Sequence, residues 1–235
     1  MPKIAVILPA LNEEEAVARL IGEIPTPELA GRGYDLEIIV VDNDSTDNTA
    51  RAAREAGATV LFSPLRGKGR AIKTGFDYAE ADFFFMLDAD YTYPPSNLVE
   101  MVDILKQNDI VLGSRIKGQR EKGSMKPLNY LGNILLSSLA SGLYRRKISD
   151  LCTGYWGFKA EVARKIDLAD IVGFELETRL FIQVVKHGYK YKEIPINYRR
   201  RIGTRPKLNL TRDGIKIAIS LFRHLHDHPA SGSKK

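Results

Sequence analysis

The first half of the chain alternates short apolar runs with segments of helical period. Ile4-Ala5-Val6-Ile7-Leu8 is apolar without interruption, as a strand buried on both faces requires. Asn12 then stands where a helix cap belongs, followed by Glu13, Glu14 and Glu15 in the first turn, the sign that the helix dipole favours there. Ala16, Val17, Leu20, Ile21 and Ile24 recur at helical spacing, and Pro25 stops the run. The same unit returns: a strand over 36–41, a cap at Ser45 or Asp47 and a helix to Ala56, closed by Gly57. Further units follow, with strands over 59–62, 83–87 and 110–112 and helices over 68–79 and 94–107. Strands that alternate with helices through short links must lie parallel, with right-handed crossovers, so the pattern predicts an α/β fold around a mainly parallel, twisted sheet.

The second half is less regular. It predicts helices over 130–144, 175–187 and 215–225, a strand over 156–159 and extended chain over 189–198. No repeat and no compositional break marks a linker, so a single domain over 1–225 is expected, followed by a disordered polar tail over 226–235.

Composition narrows the class. With 44% hydrophobic and 27% charged residues in 235, the chain is of ordinary globular type and large enough for one substantial core. Its single cysteine, Cys152, excludes an internal disulfide framework and fits a reducing compartment. The first residues lack the pattern of a secretory leader, and no run reaches the ~20 apolar residues that cross a bilayer, so a cytoplasmic protein is expected. The net charge of +6 favours anionic partners, and its basic residues concentrate over 115–126 and 199–216. A single-stranded nucleic-acid binder would interleave those cations with aromatics; here the aromatics sit largely in apolar runs, so nucleic acid is not expected as a partner.

In a parallel α/β sheet, ligands bind beyond the carboxyl ends of the strands. Polar clusters fall there: Pro9 to Glu13, Asp42 to Asp47, and Asp88-Ala89-Asp90. Acidic groups gathered at one sheet end repel unless something positive lies between them, and a divalent cation answers that need. Two carboxylates one residue apart after a strand suit Mg²⁺ or Mn²⁺, which favour oxygen ligands and bridge to phosphates. Gly67-Lys68-Gly69 lets backbone N–H groups approach a phosphate, although it is not the longer P-loop. The Gly-x-Gly-x-x-Gly dinucleotide pattern is absent, which counts against a dehydrogenase.

Taken together, Pro9-Ala10-Leu11-Asn12-Glu13-Glu14, Val40 to Asp47, Gly67-Lys68-Gly69 and Asp88-Ala89-Asp90 resemble the family 2 glycosyltransferases of the GT-A fold. The likeness is to the dolichyl-phosphate mannose and glucose synthases and their polyprenyl-phosphate relatives, and it runs from about Lys3 to Leu208 through Gly113-Ser114-Arg115, the 150–157 segment and Arg201 to Lys207. This resemblance implies a Rossmann-like catalytic domain that moves a hexose from a nucleotide-sugar, GDP-mannose before UDP-glucose, to a polyprenyl or dolichyl phosphate. It implies that Pro9, Leu11, Glu13, Val40 and Asp42 contact the donor nucleoside. Lys68, Ala89, Arg115, Arg201 and Lys207 would complete the nucleotide-sugar site, with Asp90, Arg115 and Arg201 closest to the chemistry. Asp88 and Asp90 would hold Mg²⁺ or Mn²⁺. Thr92 stands where the synthases often have a glutamine ligand, and its hydroxyl is expected on the metal. Direct displacement by an ionised phosphate inverts the anomeric centre and needs no strong base; a hydroxyl acceptor would need one, with Asp150, Glu175 and Glu177 as the candidates. The apolar residues of 215–225 and 128–143 could lie on an anionic membrane surface. The rival expectations are a soluble phosphate or glycan acceptor on the same fold, and a non-catalytic nucleotide-binding subunit of a membrane complex.

Overall fold

The computed structural model describes residues 1–168, 171, 173, 175–204 and 210–225. In chain order these form β1 (Lys3–Ala10), α1 (Glu14–Glu23), α2 (Thr26–Gly31), β2 (Asp35–Asp42), α3 (Thr49–Glu55), β3 (Thr59–Phe62), α4 (Lys68–Tyr78) and β4 (Phe83–Met86). After a 3-10 turn at Pro95–Asn97 come α5 (Leu98–Leu105), β5 (Ile110–Ser114), α6 (Pro127–Tyr144), β6 (Trp156–Lys159), α7 (Ala160–Ala163), α8 (Leu176–Lys186), β7 (Tyr191–Pro195) and α9 (Leu210–Arg223). Lys207 and the 226–235 tail lie outside the described residues.

The strands make one sheet in the order β3-β2-β1-β4-β6-β5-β7. β1 pairs in parallel with both β2 (Lys3↔Asp35 to Ala10↔Asp42) and β4 (Ile4↔Phe83 to Ile7↔Met86). Among the described strands β6 alone breaks the pattern, lying antiparallel between β4 and β5. The uninterrupted apolar run of β1 serves two cores because side chains alternate across a sheet. Ala5 and Ile7 face Ala71, Ile72 and Phe76 of α4 together with α8 residues, while Ile4, Val6 and Leu8 face Val17 and Leu20 of α1 together with α5 residues. Helices thus cover both faces, as buried parallel strands demand.

The chain winds outward from β1 through β2 to β3, then returns to place β4 on the other side of β1. That reversal opens a crevice at the carboxyl ends of β1 and β4. The loops beyond β1 and β2 are laced across it. Asn12 was expected to cap α1, but it adopts a left-handed backbone (φ 54°) and its Oδ1 accepts from the Thr46 amide at 2.8 Å. The first turn of α1 is met instead from the second loop: the Glu13 amide donates to Thr49 Oγ1 (2.8 Å) and the Glu14 amide to Asp47 Oδ2 (3.3 Å). Asp47 also accepts from the Thr49 amide at 3.0 Å, but the residue at the cap of α3 is Asn48, one place beyond the expected Asp47, and its side chain makes no capping bond. α6 starts three residues before the expected 130, at Pro127, because proline is well suited to a first helical turn.

Candidate active site

A cavity of about 410 Å³ fills the crevice. Pro9, Leu11 and Glu13 from the loop after β1, Lys68 from α4, the Asp88-Ala89-Asp90 turn after β4, Arg115 after β5 and Arg201 after β7 all line it. Residues far apart in sequence therefore converge as the strand-end rule predicted. Val40 and Asp42 do not line it: the Val40 side chain is fully buried in the α1-side core, and Asp42 turns its Oδ1 to the Ser45 amide at 3.3 Å.

The acidic turn is held by cations from opposite sides. Lys68 Nζ lies 2.5 Å from Asp88 Oδ1 and 2.6 Å from Glu177 Oε1. Burial alone would depress the lysine, but the two carboxylates outweigh it and hold its pKa above the ordinary value. Arg201 Nη1 lies 2.5 Å from Asp90 Oδ2, and its Nη2 pairs with Glu13 Oε1. Burial pushes Asp90 up and the Asp88 charge adds to this, with Arg201 and Thr92 opposing. The Thr92 hydroxyl donates to Asp90 Oδ1 at 2.6 Å and its amide at 3.1 Å; Thr92 is buried and braces Asp90 rather than lining the cavity.

Arg115 is fastened from behind. Its Nε and Nη2 donate to Asp150 Oδ2 (2.7 Å) and Oδ1 (2.6 Å), while its guanidinium lies over the Tyr198 ring, 5.2 Å from the centroid. Asn133 of α6 donates to Asp150 at 2.6 Å, which satisfies a carboxylate that is fully buried. Sequence reasoning placed Asp150 among candidate bases and missed this role, because the pairing spans 35 residues and leaves no local signature. It also missed Asn43, whose side chain donates to the Ser63 and Leu65 carbonyls and accepts from the Gly67 amide at 2.6 Å, shaping the glycine-rich loop. Cys152 lines the cavity too; burial pushes its thiol up to about 12, so it stays protonated at neutral pH.

Asp88 and Asp90 offer two carboxylates on one turn, and among the described residues no group of three or more acidic, histidine or cysteine side chains forms a closed metal cage. That donor set fits Mg²⁺ or Mn²⁺, hard cations that take part of their coordination from substrate phosphates and water.

Residues 5–167 match the family model described as glycosyl transferase family 2. The chain belongs to that family. Family 2 relatives include the dolichyl-phosphate hexose transferase of Haloferax volcanii, 31% identical over 94% of this chain and 92% of its own length. The glycosyltransferase AglJ of the same organism is 30% identical over 94% of this chain and 71% of its own length. The dolichol-phosphate mannosyltransferase of Pyrococcus furiosus is 31% identical over 95% of this chain, which spans 63% of that protein. Among solved structures, glucosyl-3-phosphoglycerate synthase from Mycobacterium tuberculosis in complex with Mn²⁺, UDP and phosphoglyceric acid superposes with a TM-score of 0.74 at 24% identity, over 98% of this chain and 81% of that one. This family 2 glycosyltransferase therefore has a GT-A fold. Among its described residues no helix is long and apolar enough to cross a membrane.

Proposed function

We propose that this glycosyltransferase transfers a hexose from a nucleotide-sugar, GDP-mannose in preference to UDP-glucose, to a polyprenyl or dolichyl phosphate. The observation that carries this reading is the cavity's mixed lining, continued by exposed apolar side chains on two helices that line it. Its lining combines the carboxylates and cations of Glu13, Lys68, Asp88, Asp90 and Arg201 with the apolar side chains of Met125, Leu136 and Ile217. The helices that supply Leu136 and Ile217 also carry exposed apolar side chains: Leu128, Leu131 and Leu135 on α6, and Ile215, Ile219 and Phe222 on α9. Arg145, Arg146 and Lys147 follow α6, and Lys216 and Arg223 lie on α9. Apolar side chains with cations beside them suit an anionic membrane surface. A lipid phosphate would present its headgroup to the charged residues of the cavity while its chain stays in the bilayer; a soluble acceptor gives no reason for six exposed apolar side chains.

The state of the acids supports a phosphate acceptor. Among the described residues, the four that line the cavity are ion-paired: Glu13 and Asp90 with Arg201, Asp88 and Glu177 with Lys68. Asp150 is spent on Arg115, and Glu175 does not line the cavity. A hydroxyl acceptor needs a base to take its proton, whereas an ionised phosphate needs only cations to bring two anions together.

Asp88 and Asp90 would hold Mg²⁺ or Mn²⁺, which would neutralise charge on the donor diphosphate. Arg201 keeps a buried Nε with no partner, a donor ready for a phosphate oxygen, and Lys207 is assigned to the same diphosphate. The acceptor oxygen forms a bond to the anomeric carbon as the bond to the leaving diphosphate oxygen breaks and takes its electron pair, which inverts the centre. The names of the Haloferax and Pyrococcus relatives support the acceptor, and the Mn²⁺–UDP complex of the synthase supports the metal and donor class. The test is transfer of label from GDP-mannose and UDP-glucose to a polyprenyl phosphate with Mn²⁺ or Mg²⁺. Label is expected in the lipid phase, and is lost with EDTA and in Asp90→Ala. Donor hydrolysis without lipid label would overturn the acceptor assignment.

A further inference from the structure

Tyr91 stands between Asp90 and Thr92 with φ at +69°, a left-handed backbone that a bulky side chain rarely adopts. Strain of this kind persists only where the surroundings over-determine it, and it gathers at functional sites. Here it turns the chain so that Asp90 and Thr92 are buried at the cavity while the Tyr91 ring lies on the outer side against two other segments. The Tyr91 hydroxyl donates to Glu23 Oε1, on the last residue of α1. The other oxygen of Glu23 accepts from Arg199 Nη1 at 2.6 Å, and the Arg199 guanidinium lies over the Tyr91 ring, 4.9 Å from its centroid. The three side chains close a triangle in which each touches the other two.

The triangle joins the end of α1, the turn after β4 and the segment after β7. Its third corner carries consequences, because Arg199 is two residues from Arg201. The backbone runs along the acidic turn at the same place: the Arg199 amide donates to the Thr92 carbonyl at 2.9 Å and the Ile202 amide to the Asp90 carbonyl at 3.4 Å. The Arg200 side chain, by contrast, is exposed, and its amide is held by Glu121 at 2.8 Å. Arg201 thus reaches Asp90 and Glu13 from a segment whose lateral position is set by Tyr91, Glu23 and Arg199.

We infer that Tyr91, Glu23 and Arg199 form a positioning clamp outside the cavity, which holds the 199–202 segment so that the Arg201 guanidinium meets the diphosphate. This builds on the role given to Arg201 above, but the clamp itself is independent of the acceptor. None of its three residues touches substrate; each acts through Arg201.

Two readouts on the full chain test it. The first needs no substrate: mass spectrometry follows tryptic cleavage after residues 199 to 201, with cleavage after Arg145 as the internal reference. Local opening exposes a segment to protease in proportion to its open population, so Glu23→Ala and Tyr91→Ala are expected to raise the relative rate roughly tenfold. Glu23→Gln, which removes one charge and keeps the shape, gives the same direction if Tyr91→Ala does not fold. The second readout is a double-mutant cycle on turnover with whichever acceptor the enzyme accepts, or on donor hydrolysis. Misplacing a group that stabilises the transition state lowers kcat more than it raises KM, so Glu23→Ala is expected to cut kcat about tenfold and move donor KM less than about twofold. In an Arg201→Ala background the same substitution is expected to cost nothing further. Unchanged cleavage at 199–201, or an equal loss of kcat in both backgrounds, would overturn the clamp. A failed lipid-phosphate assay leaves the cleavage result standing, so the two readings fail separately.

Discussion

Asp150 grips Arg115 with both carboxylate oxygens, at 2.7 Å from Nε and 2.6 Å from Nη2, and accepts from the Arg115 amide at 2.9 Å as well. Asp150 is fully buried, and the arginine side chain is only 10% exposed. Such a pair is costly to break from one side, because the charge left behind has no water to turn to. Asp150→Ala is therefore expected to destabilise the fold by about 3–5 kcal/mol. Chemical denaturation measures it, and a loss below about 1 kcal/mol would show that Arg115 finds other partners.

Gly154 makes room for Asp88. A Cβ at that position would lie 2.3 Å from Asp88 Oδ2 and 2.7 Å from its Cγ. Gly154→Ala must therefore push the carboxylate off its place beside Lys68. Glycosyl transfer is expected to fall roughly a hundredfold, the scale of an ångström-sized misplacement in a site, while stability falls by about 1–3 kcal/mol, the scale of overpacking. Steady-state kinetics and thermal melting together check this; full activity in the variant would mean that Asp88 is not held where the chemistry needs it.

Much of this architecture is legible in the sequence, and the reasons are local. The period of β1 and α1, the Pro25 stop and the clusters at strand ends follow from side-chain spacing alone. What spacing does not encode is direction and face. Trp156 to Lys159 reads as a strand, yet nothing in four residues says that it runs antiparallel between β4 and β5. Val40 reads as buried, but its side chain goes to the α1-side core rather than to the cavity. The pairs that hold the site, Lys68 with Glu177 and Arg201 with Glu13, span 109 and 188 residues and exist only once the sheet is assembled.

The Glu23 carboxyl has a definite pH signature. Partial burial pushes it up, but hydrogen bonds from Tyr91 and Arg199 outweigh that and hold it below the ordinary glutamate value of 4.5. Below that value the unfolded chain binds more protons than the folded one, so stability rises with pH across the interval. The contribution is complete above about pH 4.5 and is lost as pH falls through the folded-state pKa. The difference in melting temperature between the wild type and Glu23→Gln is expected to be present at pH 7 and to shrink towards pH 3. A gap that stays constant or widens on acidification would contradict the assignment.

The acceptor is the centre of the account, and a competition assay tests it most directly. The enzyme is given one labelled nucleotide-sugar, Mn²⁺ and equal concentrations of a polyprenyl phosphate in anionic vesicles and of phosphoglycerate in the buffer. The exposed apolar faces of α6 and α9 beside the cavity predict that label partitions into the lipid phase, and that charged substitutions at Leu131 and Ile219 reduce it while leaving the fold intact. Label recovered in soluble phosphoglycerate, with none in the lipid, would contradict the lipid-phosphate reading and assign the apolar faces to some other contact.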